Sequence, residues 1–309
     1  MEIGIDIGSV SAKCVILDGK TVVLSRYLEN KDIIQTLHEL LKDIDITIDA
    51  CGVTGSGKDL TKEILGADIA LSEIMAHAKG ALFRFPGVRT IIDIGGEDSK
   101  LIKVEDGRIT DFMMNRECGG GTGATIDAIA HRLGLHVSDV GPTALKANRS
   151  IALPGKCGVF CQSAVVSKKN MGVPKEDILY GVCKGMVQNY IAMFGKKGDL
   201  TGPIVFQGAC AQNTALVRCF EDELGEEVNV PEECHLMGAI GAALAARECE
   251  NKGKGFKGAE RMRKARLRTS MRVADGCPNR CEIVSVYDKN KCIAQTGGRC
   301  DRCYERNVK

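Results

Sequence analysis

Two short segments of this chain have the residue types needed to hold a magnesium–polyphosphate. Residues 5–13 read IDIGSVSAK and residues 92–100 read IDIGGEDSK. Ile5, Asp6, Ile7, Gly8 and Lys13 recur as Ile92, Asp93, Ile94, Gly95 and Lys100. In each copy an aspartate and a glycine fall where one strand turns into the next. Glycine there lets backbone N–H groups approach phosphate oxygens closely. A carboxylate there holds Mg²⁺, usually through water. A duplicated fold element alone would explain the strands but not this turn chemistry, so the phosphate reading is preferred.

Thiols form the second chemistry-bearing set. The chain has fifteen cysteines, an odd number that argues against a pure disulfide framework and toward metal ligands mixed with ordinary buried thiols. Cys277, Cys281, Cys292, Cys300 and Cys303 crowd the C-terminal end, with Gly297-Gly298 before the last pair. Cys277, Cys281, Cys300 and Cys303 have the best spacing for a closed four-thiolate site. Thiolates serve structural Zn²⁺ and iron–sulfur clusters alike, so spacing leaves the metal open. Cys118 precedes GGGTGATIDAIA and Cys157 precedes GVFCQSAVVSKK. Each reads as a cysteine at a helix start, where the helix dipole and unpaired N–H groups favour a thiolate. By themselves they read equally as two unrelated buried cysteines. Cys161, one turn beyond Cys157, reads as packing, and the remaining cysteines read as core or incidental.

Two other patterns are weaker. Residues 52–58, GVTGSGK, nearly spell a phosphate-binding P-loop, but Asp59 stands where Ser or Thr should meet Mg²⁺. The segment reads instead as a strand-to-helix loop lining the cleft. Glu73 and His77 sit four residues apart on an expected helix, and an ordinary polar pair is the preferred reading.

The elements that must position these residues follow from periodicity. Each IDIG copy reads as strand, tight turn, strand, Asp-Gly turn (Asp18-Gly19, Asp106-Gly107) and strand. Helices follow over residues 31–43, with Ile33, Ile34, Leu37, Leu40 and Leu41 on one face, and over residues 122–134. Short strands are expected at Ala50–Val53 and Ile204–Gln207. The plan is a duplicated βββαβα unit, with a ligand cleft between two lobes.

Composition excludes several classes. Net charge is +2 over 309 residues, which argues against a polyanion binder. With aromatic residues at 4% and no tryptophan, a stacking platform for single-stranded nucleic acid is not expected, and nucleic acid is an unlikely partner. No stretch is apolar enough to span a membrane, and MEIGIDIGSV enters a strand without a signal-peptide pattern. A cytoplasmic location is expected.

The motifs IGIDIGSVSAKCVIL, VTGSGK, SEIMAHAKGA, TIIDIGGEDSK, NRECGGGTGATID, KCGVFCQS, GACAQN and MGAIGAALAA, in this order and spacing, make residues 1–248 similar to a known family. The chain resembles the activator (component A) of 2-hydroxyacyl-CoA dehydratases, related to the ATPase subunits of benzoyl-CoA reductase. The resemblance implies a duplicated actin/Hsp70/sugar-kinase-like α/β ATPase with an interlobe nucleotide cleft. It implies ATP and Mg²⁺ as ligands, with Asp6, Gly8, Ser9 and Lys13 in the first phosphate loop and Asp93, Gly95 and Gly96 in the second. Glu97 stands where the family often has Gln and joins Asp6 and Asp93 as an expected catalytic carboxylate. Gly208, Gln212 and Asn213 match the adenosine motif, with Ala209 replacing its second glycine and Gln162 replacing a common glutamate.

The resemblance also implies that Cys118 and Cys157 of each subunit of a homodimer hold one shared [4Fe–4S] cluster. The activity implied is ATP-driven transfer of a low-potential electron to a partner iron–sulfur dehydratase or reductase, with reduced ferredoxin or flavodoxin as donor. The Cys-rich end resembles a segment sometimes fused to such activators, which favours a second iron–sulfur cluster over Zn²⁺ there. A small-molecule kinase or a nucleotide-dependent regulatory protein on the same fold is the alternative, and either leaves the cysteines unexplained. The expected division is 1–90 for the first lobe, 91–249 for the second lobe with the cluster-binding helices, 250–272 for a basic linker becoming a helix, and 273–309 for the Cys-rich metal-binding tail.

Overall fold

Each IDIG segment opens a five-stranded mixed sheet. The structure, a computed structural model, describes residues 1–115, 120–155, 157–195, 200–250, 253, 256, 262, 266–275 and 278–300. The first copy runs β1 (Glu2–Ile7), β2 (Ser11–Asp18), β3 (Thr21–Glu29), α1 (Ile33–Leu41), β4 (Ala50–Thr54), α2 (Lys58–Leu65), β5 (Ile69–Ala70) and α3 (Glu73–Arg84). The second copy starts with β6 (Thr90–Ile94), β7 (Ser99–Glu105) and β8 (Arg108–Asn115). It continues with α4 (Gly123–Arg132), α5 (Val140–Ala144), α6 (Gly158–Asn170), α7 (Lys175–Phe194), β9 (Ile204–Gln207), α8 (Thr214–Leu224) and β10 (Val228–Asn229). The strand orders β3-β2-β1-β4-β5 and β8-β7-β6-β9-β10 are the same. Register repeats as well: Asp6 lies opposite Lys13 and Asp93 opposite Lys100.

The duplicated α/β architecture expected from the repeat is therefore present. β1 and β6 lie at the centre of their sheets and are almost wholly buried. β3, at an edge, alternates exposed and half-buried residues. In α1 Asp32 caps the N-terminus by accepting from Gln35 N at 2.8 Å, and Leu37, Leu40 and Leu41 are buried at the expected helical spacing. One hairpin differs by a residue from the sequence expectation. Asp18 pairs with Thr21, so Gly19 and Lys20 form the first turn, whereas Asp106 and Gly107 form the second with φ of 49° and 73°.

The chain divides into two compact units, Met1–Lys79 with Gly238–Lys309, and Gly80–Met237. The first unit regains the chain through α9 (Met237–Arg247). A Cβ at Gly4 would fall 1.9 Å from Ala239 O, and one at Gly52 2.0 Å from Ala242 O, so only bare strands admit α9 this close. This return crosses the linear division at residues 90 and 249.

The end of the chain also differs from expectation. Residues 267–272 belong to a strand, not a helix: β11 (Leu267–Val273) pairs with β12 (Glu282–Asp288), which pairs with β13 (Lys291–Thr296), all antiparallel. β11 pairs with β12 along its whole length, and Arg268 lies over the Tyr287 ring at 4.3 Å. β13 packs on α2, and Val286 and Ala294 are buried in the same core as Leu37, Ile64 and Leu65.

Candidate nucleotide site and thiol centres

The first loop hangs between β1 and β2. Gly8 N donates to Ser11 O at 3.0 Å, and Asn30 Nδ2 donates to Gly8 O at 2.7 Å, so the turn is braced from outside. Ser9 and Val10 at its tip are exposed. Asp6 is buried and its Oδ2 lies 3.3 Å from Lys13 Nζ. The second loop repeats this design. Gly95 N donates to Asp98 O at 2.9 Å. Lys100 Nζ lies 3.3 Å from Asp93 Oδ2 and 2.7 Å from Asp98 Oδ1, with Asp93 and Lys100 almost wholly buried. Glu97 is exposed at the tip. Each loop thus couples an Asp–Lys pair, held in cross-strand register, to an open glycine turn.

Lys100 and Asp98 were not among the sequence-expected site residues. The signal for Lys100 was available, since it is the repeat of Lys13. The near-P-loop also has a place in the repeat. Gly55 follows β4 with φ of 89°, and Gly208 follows β9 with φ of 87°. A Cβ at Gly55 would lie 2.3 Å from Ile7 O and 2.6 Å from Asp6 Oδ1, and one at Gly208 2.3 Å from Ile94 O and 3.0 Å from Asp93 Oδ1. The GVTGSGK loop is the first-unit counterpart of the GACAQN loop, each pressing a bare glycine on its own aspartate.

The adenosine-motif residues take different positions. Asn213 accepts from Ala215 N at 3.0 Å and Leu216 N at 3.3 Å, which caps α8. Gln212 is exposed, with Nε2 3.2 Å from His235 Nδ1. Cys210 Sγ lies 3.6 Å from Gly95 O, tying this loop to the second phosphate loop. Burial, with Asp93 nearby, pushes the Cys210 thiol up to about 12, so it is a neutral donor.

The thiol centres are partly visible. Cys157 is half-buried and stands at the N-cap of α6, where the free N–H groups of the first turn converge. Cys161 is buried, and burial together with the neighbouring Cys157 raises its thiol. A Cβ on Gly158 would meet Thr125 Oγ1 of α4 at 2.8 Å and Gly120 Cα at 3.7 Å. The start of α6 therefore packs on the start of α4, close in sequence to Cys118. Arg132 Nε donates to Gln162 Oε1 at 2.9 Å between the same two helices. Cys118, Cys277 and Cys303 lie outside the described residues.

In the C-terminal sheet Cys281 directly precedes β12 and is buried, and the exposed Cys300 follows the end of β13 that pairs beside the start of β12. Gly297 abuts Glu282 O there. Cys292 pairs with Tyr287 toward the other end, roughly 20 Å away at the strand rise per residue. Among the described residues no three His, Cys, Asp or Glu side chains are grouped to hold a metal ion, and no helix is long and apolar enough to cross a membrane.

Residues 3–246 match the BadF/BadG/BcrA/BcrD ATPase family, to which the chain belongs. Among its relatives is the (R)-2-hydroxyglutaryl-CoA dehydratase activating ATPase of Acidaminococcus fermentans, 34% identical over 256 residues, covering 79% of this chain and 96% of that protein. The activator of lactoyl-CoA dehydratase of Anaerotignum propionicum is 34% identical over 265 residues, covering 81% and 98%. The solved activator of the 2-hydroxyisocaproyl-CoA dehydratase from Clostridium difficile with bound ADPNP superposes with a TM-score of 0.73 at 32% identity, covering 79% of this chain and 93% of that one. The three-stranded sheet lies beyond the residues matched to the family.

Proposed function

We propose that this chain is a cytoplasmic, ATP-driven electron donor that activates an iron–sulfur acyl-CoA dehydratase or reductase. ATP binds with Mg²⁺ through the glycine turns and aspartates of the two loops. A homodimer shares one [4Fe–4S] cluster through Cys118 and Cys157 of each protomer. Reduced ferredoxin or flavodoxin supplies the electron. The activator names of the relatives support the partner class.

One observation carries the proposal. Gly95 O accepts from Gly123 N at 2.9 Å and Gly96 O from Ala124 N at 2.8 Å. The second phosphate loop is thereby bonded to the first turn of α4, and the start of α6, with Cys157 at its cap, packs on that turn. A loop that shifts between ATP and ADP moves the helix start with it. The residues fit a magnesium nucleotide through bare glycines and Asp–Lys pairs, and a thiolate-ligated cluster through a half-buried cap thiol. The cluster, when bound, stores and releases one electron at low potential. Asp6 and Asp93 orient hydrated Mg²⁺, Lys100 keeps Asp93 and Asp98 in place, and Glu97 is placed to direct water at the loop tip. Cys281 and Cys300, at one end of the C-terminal sheet, support a separate thiolate site with Cys277 and Cys303 for a second cluster or Zn²⁺.

The test is anaerobic purification with iron analysis and electron paramagnetic resonance in both nucleotide states. About one [4Fe–4S] per dimer is expected, lost in Cys118→Ser or Cys157→Ser, with a signal or potential that differs between ATP and ADP forms. A cluster blind to nucleotide, or iron at the dimer site surviving either substitution, refutes the reading.

A further inference from the structure

β11 stands at the edge of the C-terminal sheet, and among the described residues β12 alone pairs with it. Ala274 N donates to Cys281 O at 2.8 Å, and Lys289 N donates to Arg266 O at 3.3 Å. These two pairs extend the β11–β12 register by one step at either end. In an antiparallel ladder, pairs that exchange hydrogen bonds alternate with pairs that do not. Arg268, Ser270 and Arg272 therefore bond inward to β12, whereas Leu267, Thr269, Met271 and Val273 turn their N–H and C=O groups outward. Thr269 and Met271 are exposed, Met271 by 62%. Side chains alternate in the same rhythm, so Arg268, Ser270 and Arg272 share one face and Thr269 and Met271 the other. Opposite the two arginines on β12 stand Tyr287 and Ile283, so no carboxylate answers them across the ladder. No acidic residue lies between Arg266 and Val273. A second copy of this edge, paired antiparallel about Ser270, would set Arg268 against Arg272, and like charges directly opposite are unfavourable.

We propose that β11 is a docking edge for an extended, acidic segment of a partner protein, which adds to the sheet as a further antiparallel strand. Main-chain hydrogen bonds to the outward groups of Thr269 and Met271 supply affinity. Carboxylates at every second position of the segment, opposite Arg268 and Arg272, set its register. Apolar residues at the intervening positions fall on the face of Met271 and cover it. The same arginines blunt the edge against other strands, which makes the pairing selective. The proposal is independent of the nucleotide and cluster readings, because β11 lies beyond the residues matched to the family.

The test is fluorescence anisotropy of the full-length protein with a labelled peptide that alternates glutamate and valine over the 7 residues of β11. Binding is expected, and a peptide alternating lysine and valine should not bind. With glutamates opposite the arginines, the valine N–H groups face β11 and the glutamate N–H groups face away. Methylating the valine nitrogens should therefore abolish binding, and methylating the glutamate nitrogens should not. Met271→Pro removes one outward N–H and leaves the ladder to β12 in place, since proline is tolerated on an edge whose N–H faces solvent. It should weaken binding about fivefold, the factor that a net hydrogen bond of ~1 kcal/mol represents. The two methylated peptides carry the test if Met271→Pro does not fold. Failure of the unmodified glutamate–valine peptide to bind overturns the proposal and leaves β11 a blunted edge. Equal binding of the two methylated peptides, or undiminished binding by folded Met271→Pro, also overturns it, since attraction of charge alone, as for any polyanion, would then suffice.

Discussion

Replacing Gly208 by alanine probes whether the second phosphate loop and the loop after β9 form one assembly. Gly208 has φ of 87° and ψ of 169°, a region that is essentially glycine-only and costs a side-chain-bearing residue ~1–3 kcal/mol. The new methyl would also sit 2.3 Å from Ile94 O and 3.0 Å from Asp93 Oδ1. Relieving that overlap needs a shift of about 1 Å in a packed region, which typically costs ~1–3 kcal/mol. The sum, centred on ~4 kcal/mol, lowers the melting temperature by about 8–16 °C for a unit of this size. Gly19→Ala is the control: Gly19 has φ of 58° with nothing within 4 Å of a new Cβ, so only the left-handed penalty of ~1–2 kcal/mol applies. Circular-dichroism melts and ADPNP titration calorimetry read the outcome. Because the methyl presses on Asp93, Gly208→Ala should lose ADPNP affinity even below its melt, and Gly19→Ala should not. A Gly208→Ala protein that melts no lower than Gly19→Ala and binds ADPNP normally would refute the argument.

Burial pushes Cys14 and Cys210 up to about 12 and Cys219 and Cys234 to about 11, from 9.0. Since the folded state keeps these protons, their stabilisation is whole below about pH 9 and lost as pH rises through 11–12. Cys210→Ala should flatten the fall in urea midpoint between pH 8 and 10.5, and an unchanged fall counts against it. Asn213→Ala should cost ~1 kcal/mol as a lost cap and speed hydrogen exchange at Ala215 and Leu216; protection equal to the parent would contradict the cap. Ending the chain at residue 266 removes Val286 and Ala294 from the first-unit core, a loss of ~2–4 kcal/mol seen as a lower melt with hydrophobic-dye binding. An unaltered melt would show the C-terminal sheet to be energetically separate.

The sheets were legible because both copies keep Ile-Asp-Ile-Gly and the lysine five residues beyond, and that spacing is what cross-strand register requires. Helix α1 was legible from its Leu37, Leu40 and Leu41 spacing. The kinship of the Gly55 and Gly208 loops was not, because the two segments share little beyond a glycine whose backbone conformation no letter records. Nor was the return of α9, since small residues carry no periodic signal of the partner they admit. Residues 250–272 read as a basic linker becoming a helix, while the strand at Leu267–Val273 depends on β12, a partner later in the chain. Asn213 was expected at the adenosine, and its capping of α8 shows only in three dimensions.

The seam between α9 and the first sheet bears on how this chain can vary through descent. At Gly4 and Gly52 a helix carbonyl occupies the very space that any other residue would need for its first carbon, and at Gly241 the same is true of Ala76 O. No conservative replacement exists for such positions, and a compensating change elsewhere would have to relocate a backbone rather than trim a side chain. Drift is therefore channelled to surfaces far from the seam, such as the edge of β3 or the exposed face of β11. An inherited alteration at any of these glycines would be rejected as a folding fault before it could be sampled as a change of activity.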